Sequence, residues 1–257
     1  TGLANSGTFN WGVTLPATTQ AFVRVTAHDA AGQTTQDVSN AAFTIVPPVQ
    51  RTLTVNVVGG GTVTKLPDQA TYDDSSSVQL TASPGTGWTF SAWSGGLVST
   101  SNPASLVMDA DKTVACTFLD VASPTATVTA PNGAEVLISG TNTNITWTAA
   151  DNAAVTAVDL ELSRAGAGGP YESIATGLAN SGTFSWLPTL PATTQAFVRV
   201  TAHDAAGHTT QDVSNAAFTI VAPVQRTLTV NVVGAGTVTK LPDLTTYDDG
   251  SSVQLTA

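Results

Sequence analysis

The chain has 257 residues, only 10% of them charged, with 8 Lys+Arg against 18 Asp+Glu and a formal net charge of -10. That balance repels phosphate backbones and anionic membrane surfaces, so nucleic acid is an unfavourable partner. No apolar run approaches the roughly 20 residues that cross a bilayer, and a lone cysteine, Cys116, excludes an internal disulfide framework and a cysteine-based metal cluster.

The chain opens on TGLANSGTFNW, which returns as TGLANSGTFSW at Thr176. A shift of 175 positions superimposes residues 1–82 on 176–257 with nine differences. These are Asn10/Ser185, Gly12/Leu187, Val13/Pro188, Gln33/His208, Pro47/Ala222, Gly60/Ala235, Gln69/Leu244, Ala70/Thr245 and Ser75/Gly250. One and a half copies of a 175-residue unit are therefore present. Near-identical units suit a tandem array, in which each repeat needs only its own core and its neighbours.

Proline-bearing joints, VPPVQR (46–51), DVASP (120–124) and VAPVQR (221–226), divide each period into two unlike modules. Proline keeps such joints short and extended. Residues 1–46 form the C-terminal half of the larger module. Residues 51–119 form a complete smaller module, 125–221 a complete larger one, and 226–257 the N-terminal part of a second smaller one.

The smaller module reads RTLTVNVVGGGTVTK, TYDDSSSVQLTA, GWTFSAW and KTVACTF in chain order. The run Gly59-Gly60-Gly61 follows a strand but leads into another strand, TVTK, so it predicts a hairpin turn and offers no helix N-terminus to a phosphate. A module this small has little core, so Trp88, Phe90 and Trp93 must supply much of the burial. At about 150–250 Å² per ring and roughly 25 cal/mol/Å², each is worth about 4–6 kcal/mol gross. These rings are read as core first and as sugar-stacking groups second. In VACTF, Cys116 alternates with Val114 and Phe118 and reads with Phe118 as a core position. Ser75 stands where a glycine is expected after the tyrosine, and Gly250 restores it, so the first copy should have a less comfortable turn.

The larger module presents TATVTA, NITWTA, VDLELS, TFSW, AFVRVTA and AFTIV, each bounded by Gly, Asn, Asp or Pro. Period-2 alternation places Val158, Leu160 and Leu162 on one face of their strand, Val198 and Val200 on one face of theirs, and Phe218 with Ile220 on one face of theirs. Trp147, Trp186, Val198, Val200 and Phe218 are its predicted core. Several short strands within about a hundred residues predict a β-sandwich.

Two resemblances follow from these residues. TVTAPNGAEVLISGTNTNITW, ATGLANSGTFSW and FVRVTAHDAAG resemble the immunoglobulin or fibronectin III-like modules of secreted multidomain bacterial proteins. The GGGTVT turn, the Tyr72 segment, VQLTA, GWTFSAW and KTVACTF resemble the divergent internalin-type B repeat, a bacterial surface module. The fold class predicted is all-β: immunoglobulin-like sandwich modules alternating with small B-repeat-like, β-grasp-like modules.

Chemistry is sparse. His208 is replaced by Gln33 in the other copy, so it is no required ligand or catalyst of every repeat, and His28 and His203 sit in TAHDAAG, where Asp29 or Asp204 can satisfy turn amides. No GxSxG nucleophile turn is present. No catalytic and no cofactor-binding residue is assigned, and the protein is not expected to be an enzyme. Asp73, Asp74, Asp109, Asp111 and Asp204 read primarily as solvated turn residues, with calcium stiffening a module junction as the alternative.

The resemblances imply an extracellular or cell-surface location and a structural or adhesive role as stalk, adhesin or fibre subunit. The alternative is that these are non-catalytic carbohydrate-binding or spacer modules of a secreted enzyme. Expected partners are neighbouring modules, copies assembling into a fibre, or a surface glycan or protein. The partial modules at 1–46 and 226–257 are expected to be completed by further repeat sequence or by strands from neighbouring molecules.

Overall fold

A computed structural model of the chain describes residues 3, 7–13 and 16–257; most of the opening TGLANS of the first partial module, and Thr14 with Leu15, lie outside the described residues. The described residues form strands, turns and irregular segments, with no helix among them. The abundance of Val, Thr and Ile favours this outcome, because β-branched side chains fit a pleated surface better than a helix.

Contacts divide the chain into two compact units. The first takes the residues up to Val58, then Val63–Ser83 and Ala92–Thr117; the second takes Gly59–Thr62, Pro84–Ser91 and Phe118–Ala257. The tip of the smaller module thus belongs with the complete sandwich, a division that the proline-bearing joints do not mark.

The smaller module holds two three-stranded sheets. In one, Lys112–Asp120 lies between Trp88–Gly95 and Leu53–Val58; it runs parallel to the latter, with Lys112 opposite Leu53 and Thr117 opposite Val58. In the other, Ser77–Pro84 lies between Ala104–Val107 and Gly61–Leu66. The parallel neighbours at the start and end of the module are the β-grasp-like feature. Within the first unit, alternation buries Val78 and Leu80 from one strand, Leu106 from another, and Val114 and Cys116 from a third, around Tyr72, Trp93 and Met108.

The hairpin expected at Gly59–Gly61 does not form, since Leu53–Val58 and Gly61–Leu66 lie in different sheets. The glycines instead make room for rings. A β-carbon on Gly59 would fall 2.8 Å from Trp88 Cζ3, and one on Gly61 would fall 2.5 Å from the Phe118 ring. Phe90 meets Phe118 edge-on at 6.4 Å between centroids. Trp88 and Phe90 are half-buried because they close over this tip from outside, whereas Trp93 is 1% exposed and donates its indole N–H to the Ser101 carbonyl at 3.0 Å.

The larger module is a sandwich. One sheet orders Thr125–Ala130, Thr143–Ala150 and Thr183–Trp186; the other orders Val136–Ile138, Phe218–Val221, Thr193–Asp204, Val155–Ser163 and Tyr171–Leu178, with Thr209–Val213 also pairing to Thr193–Asp204. Six of these strands match the predicted segments. Val136–Ile138, Tyr171–Leu178 and Thr209–Val213 are additional. Between the sheets lie Val128, Ile145, Trp147, Leu160, Trp186, Val198, Val200 and Phe218, with Trp186 edge-on to Phe218 at 6.4 Å. Trp147 satisfies its buried N–H by donating to Asn180 Oδ1 at 3.0 Å.

The first partial sandwich pairs Thr18–Ala21 with Phe43–Ile45 and Arg24–His28 with Thr34–Val38. Its aromatic pair is retained, Trp11 meeting Phe43 edge-on at 6.3 Å. Its apolar face is open: Trp11 is 49% and Val25 64% exposed, against 8% and 0% for their counterparts Trp186 and Val200. In the last segment, Gln225–Arg226 pairs with Tyr247–Asp248 and Thr239–Leu241 with Gln254–Thr256.

Candidate functional site

The polar group with the most developed geometry lies within the second unit, where the last strand of the smaller module enters the sandwich. Lys112–Asp120 ends on Asp120, and the chain continues through Val121 and Ala122 toward the first sandwich strand, Thr125–Ala130. Val121 donates its backbone N–H to the Gly87 carbonyl at 2.9 Å. Asn152, in the loop after Thr143–Ala150, donates Nδ2–H to Asp120 Oδ1 at 2.9 Å, and the Ala122 N–H reaches the same oxygen at 3.2 Å. Gly87 has φ +79°, and a β-carbon there would fall 2.9 Å from Asn152 Cγ and 3.0 Å from Ala122 Cβ. The joint is a packed, hydrogen-bonded contact.

Asp120 does not stand alone there. One carboxylate oxygen each from Asp120, Asp151 and Asp204 lies within 4.8 Å of the other two. Asp204 closes Thr193–Asp204, and its side chain has no exposed surface. It accepts the His208 backbone N–H at 2.8 Å and faces His208 Nδ1 at 2.7 Å. Burial alone would raise the Asp204 carboxyl, but hydrogen bonds from the His208 ring and from the His208 and Gly207 backbone outweigh it and hold the group below the ordinary carboxylate range.

The aspartates named from sequence are placed differently. Asp73 accepts from Gln50 Nε2 at 2.6 Å, Asp74 pairs with Arg51 at 2.6 Å, Asp109 pairs with Lys112 at 2.8 Å, and Asp111 accepts the Thr52 N–H at 2.7 Å. Among the described residues, the structure gathers Asp204 with Asp120 and Asp151 and leaves those four out of the group. Asp120 and Asp151 each stand alone in their local stretches, DVASP and AADNAA, so local spacing gives no sign of the pair. Their nearness is made by the fold. In the first copy Asp29 serves its own turn, accepting the Ala31 and Gln33 N–H groups at 2.9 and 2.8 Å.

The remaining polar features are ordinary contacts of a sheet surface. His203 Nε2 faces Asp159 Oδ2 at 2.9 Å, and Arg199 pairs with Glu161 at 2.6 Å while covering the Tyr171 ring at 3.9 Å. A shallow groove of about 370 Å³ runs beside Leu162, Arg164, Ile174, Phe184 and Trp186. Arg164 is committed there, to Glu172 at 2.7 Å, the Pro191 carbonyl at 2.6 Å and Thr189 at 3.1 Å. Burial pushes the Cys116 thiol above its ordinary range, which removes thiolate character.

Residues 51–122 match the family model of the divergent InlB B-repeat domain. The chain is thus an all-β protein with an internal repeat that joins a β-sandwich to a segment matching that repeat family. No curated protein matches it. Among solved structures, it is similar to the fibronectin(III)-like modules of Clostridium thermocellum CbhA, at 14% identity and a TM-score of 0.34, covering 67% of this chain and 91% of that one. Tandem Ig repeats of Dlar are similar at 12% identity and a TM-score of 0.26, covering 68% and 98%. No helix among the described residues is long and apolar enough to cross a membrane.

Proposed function

We propose that the chain is a spacer segment of a bacterial extracellular repeat protein, in which alternating sandwich and B-repeat modules hold another part at a distance. The observation that carries this reading is the joint at Gly87, Asp120, Val121 and Asn152. The Asn152 bond from the sandwich to Asp120, the Val121 bond that ties the connecting segment to Gly87, and the close approach of Asn152 at Gly87 oppose free hinging. A loose linker would leave these groups to water.

The disposition of the aromatic rings favours a spacer over a glycan-binding module. Trp93, Trp147 and Trp186 are buried and offer no face to a sugar ring, and Trp88 spends one side of its indole on the glycine tip. The location outside the cell and the absence of catalysis belong to the same proposal, supported by the B-repeat match over residues 51–122.

Small-angle scattering on chains carrying one, two and three periods tests it. A spacer adds a constant increment to the maximum dimension per period, roughly 60–80 Å from strand rise. Growth with the square root of copy number would describe a flexible string and sink the proposal.

A further inference from the structure

We propose that the chain self-associates through the hexapeptide LTVNVV: residues 228–233 of one copy add as a strand to the free edge of Leu53–Val58 in a second copy. Leu53–Val58 is the end strand of its sheet, paired on one side with Lys112–Asp120 and on the other with no strand among the described residues. An end strand leaves alternate backbone N–H and C=O groups unpaired and so forms a template for another chain. Natural edges are blunted by charge, proline or a bulge. These six residues contain neither charge nor proline, and their pairing with Lys112–Asp120 runs from Leu53 to Val58 without a register shift. Val57 and Val58 are 43% and 54% exposed.

The occupant follows from a second, independent observation. The same six residues recur at 228–233, where they form no strand, and there Val232 and Val233 are 47% and 98% exposed. A short uncharged segment of high β-propensity, free of proline and glycine, is the kind that stacks identical strands in register. A parallel, in-register pair sets Asn231 beside Asn56 and Val232 beside Val57. Parallel is also the direction in which Leu53–Val58 already pairs with Lys112–Asp120.

Addition is favoured over exchange. Displacing Leu53–Val58 from Lys112–Asp120 by its twin replaces one set of bonds with an identical set. Adding at the free edge gives new backbone partners to both segments. Donor and acceptor are different surfaces, and each copy carries one of each, so the contact is heterologous: successive copies join into an open chain, or into a ring if the rotation closes. A strand of this length buries far less than the roughly 1,600 Å² of a standard interface. Association is therefore weak and follows concentration.

Sedimentation equilibrium of the 257-residue chain from about 10 μM to about 1 mM covers the range that so small an interface sets. The weight-average mass should rise with concentration to at least about twice that of the monomer. Asn231→Pro, in a segment that is not a strand, should keep the β circular dichroism and hold the chain at monomer mass. Val57→Lys, at an exposed edge position, should do the same. Val98→Lys adds the same charge at a site 84% exposed and outside both hexapeptides, and should associate as the parent does. Monomer mass at every concentration overturns the inference. So does association that survives Asn231→Pro or Val57→Lys, or that Val98→Lys abolishes as well. The interface does not rest on the spacer reading, since scattering extrapolated to zero concentration reports the single chain and each can fail alone.

Discussion

The Trp88 indole packs so closely on Gly60 that a β-carbon at position 60 would fall 2.6 Å from Cε2 and 2.7 Å from Cδ1. Gly60 is therefore held by an aromatic neighbour and not by its own backbone angle. The counterpart at 235 is alanine, between Gly234 and Gly236, at each of which a β-carbon would meet nothing within 4 Å.

Gly60→Ala should force the indole off its seat and destabilise the smaller module by about 1–3 kcal/mol, the usual cost of overpacking. Urea unfolding followed by tryptophan fluorescence measures it. An unchanged midpoint with an unchanged native emission maximum would show that the ring does not need the glycine.

Ser75 holds φ +64° where its counterpart Gly250 holds +83°. A left-handed conformation costs a non-glycine residue about 1–2 kcal/mol, partly offset by the greater unfolded-state freedom of glycine. Ser75→Gly should stabilise the module by about 0.5–1 kcal/mol, read from the urea midpoint. A loss of stability would mean that the Ser75 hydroxyl contact with Asp74 at 3.3 Å outweighs the backbone term.

Gly87→Ala should loosen the joint specifically. It combines φ +79° with a clash against Asn152 and Ala122, a cost of about 1–3 kcal/mol. Limited proteolysis should then cut faster between residues 120 and 124, while hydrogen exchange at Val198–Val200 stays slow. Uniform acceleration everywhere would place Gly87 in the general stability of the unit and not in its joint.

The lowered Asp204 carboxyl sets an acid limit on the sandwich. Its folded value lies below the ordinary 3.8, so its stabilising contribution is fully present above pH 3.8 and is lost as pH falls through the folded value. Asp204→Asn should lower stability at neutral pH, and the gap to the parent should narrow below pH 3.8. A gap constant with pH would show that the carboxylate charge is not what stabilises this turn.

In the complete copy, the face that is open in the first partial sandwich is covered by Thr125–Ala130 and Thr143–Ala150 of the opposite sheet, while Val155–Ser163 pairs with the edge of Thr193–Asp204. Fusing a second copy of residues 120–175 ahead of Thr1 should protect the amides of Arg24–His28, now in an exposed two-stranded pair, to the level of their counterparts in Thr193–Asp204. Unchanged exchange would separate the two copies despite their near-identical sequence.

Alternation in VDLELS and AFVRVTA was enough to place Leu160, Leu162, Val198 and Val200 in a core, because a sandwich buries one face of each strand. Val136–Ile138 and Thr209–Val213 escaped this reading. Their exposed and half-exposed residues carry no apolar alternation, and backbone pairing alone holds them to the sheet. Asp120 and Asp151 were illegible for a related reason. Spacing along the chain says nothing about carboxylates from three separate elements.

The clearest division between sequence and structure is one hexapeptide present twice. LTVNVV at Leu53–Val58 is a strand, held by the parallel strand Lys112–Asp120, while the same six residues at 228–233 form none. Sequence by itself determined the 175-residue period, the all-β class and the inward-facing residues of the long strands, since these depend on local propensity and alternation. Tertiary structure alone decided whether LTVNVV became a strand, whether Val25 or Val200 was buried, and which three aspartates met. A strand is stable only with a partner to take its hydrogen bonds, and carboxylates converge only where the chain returns.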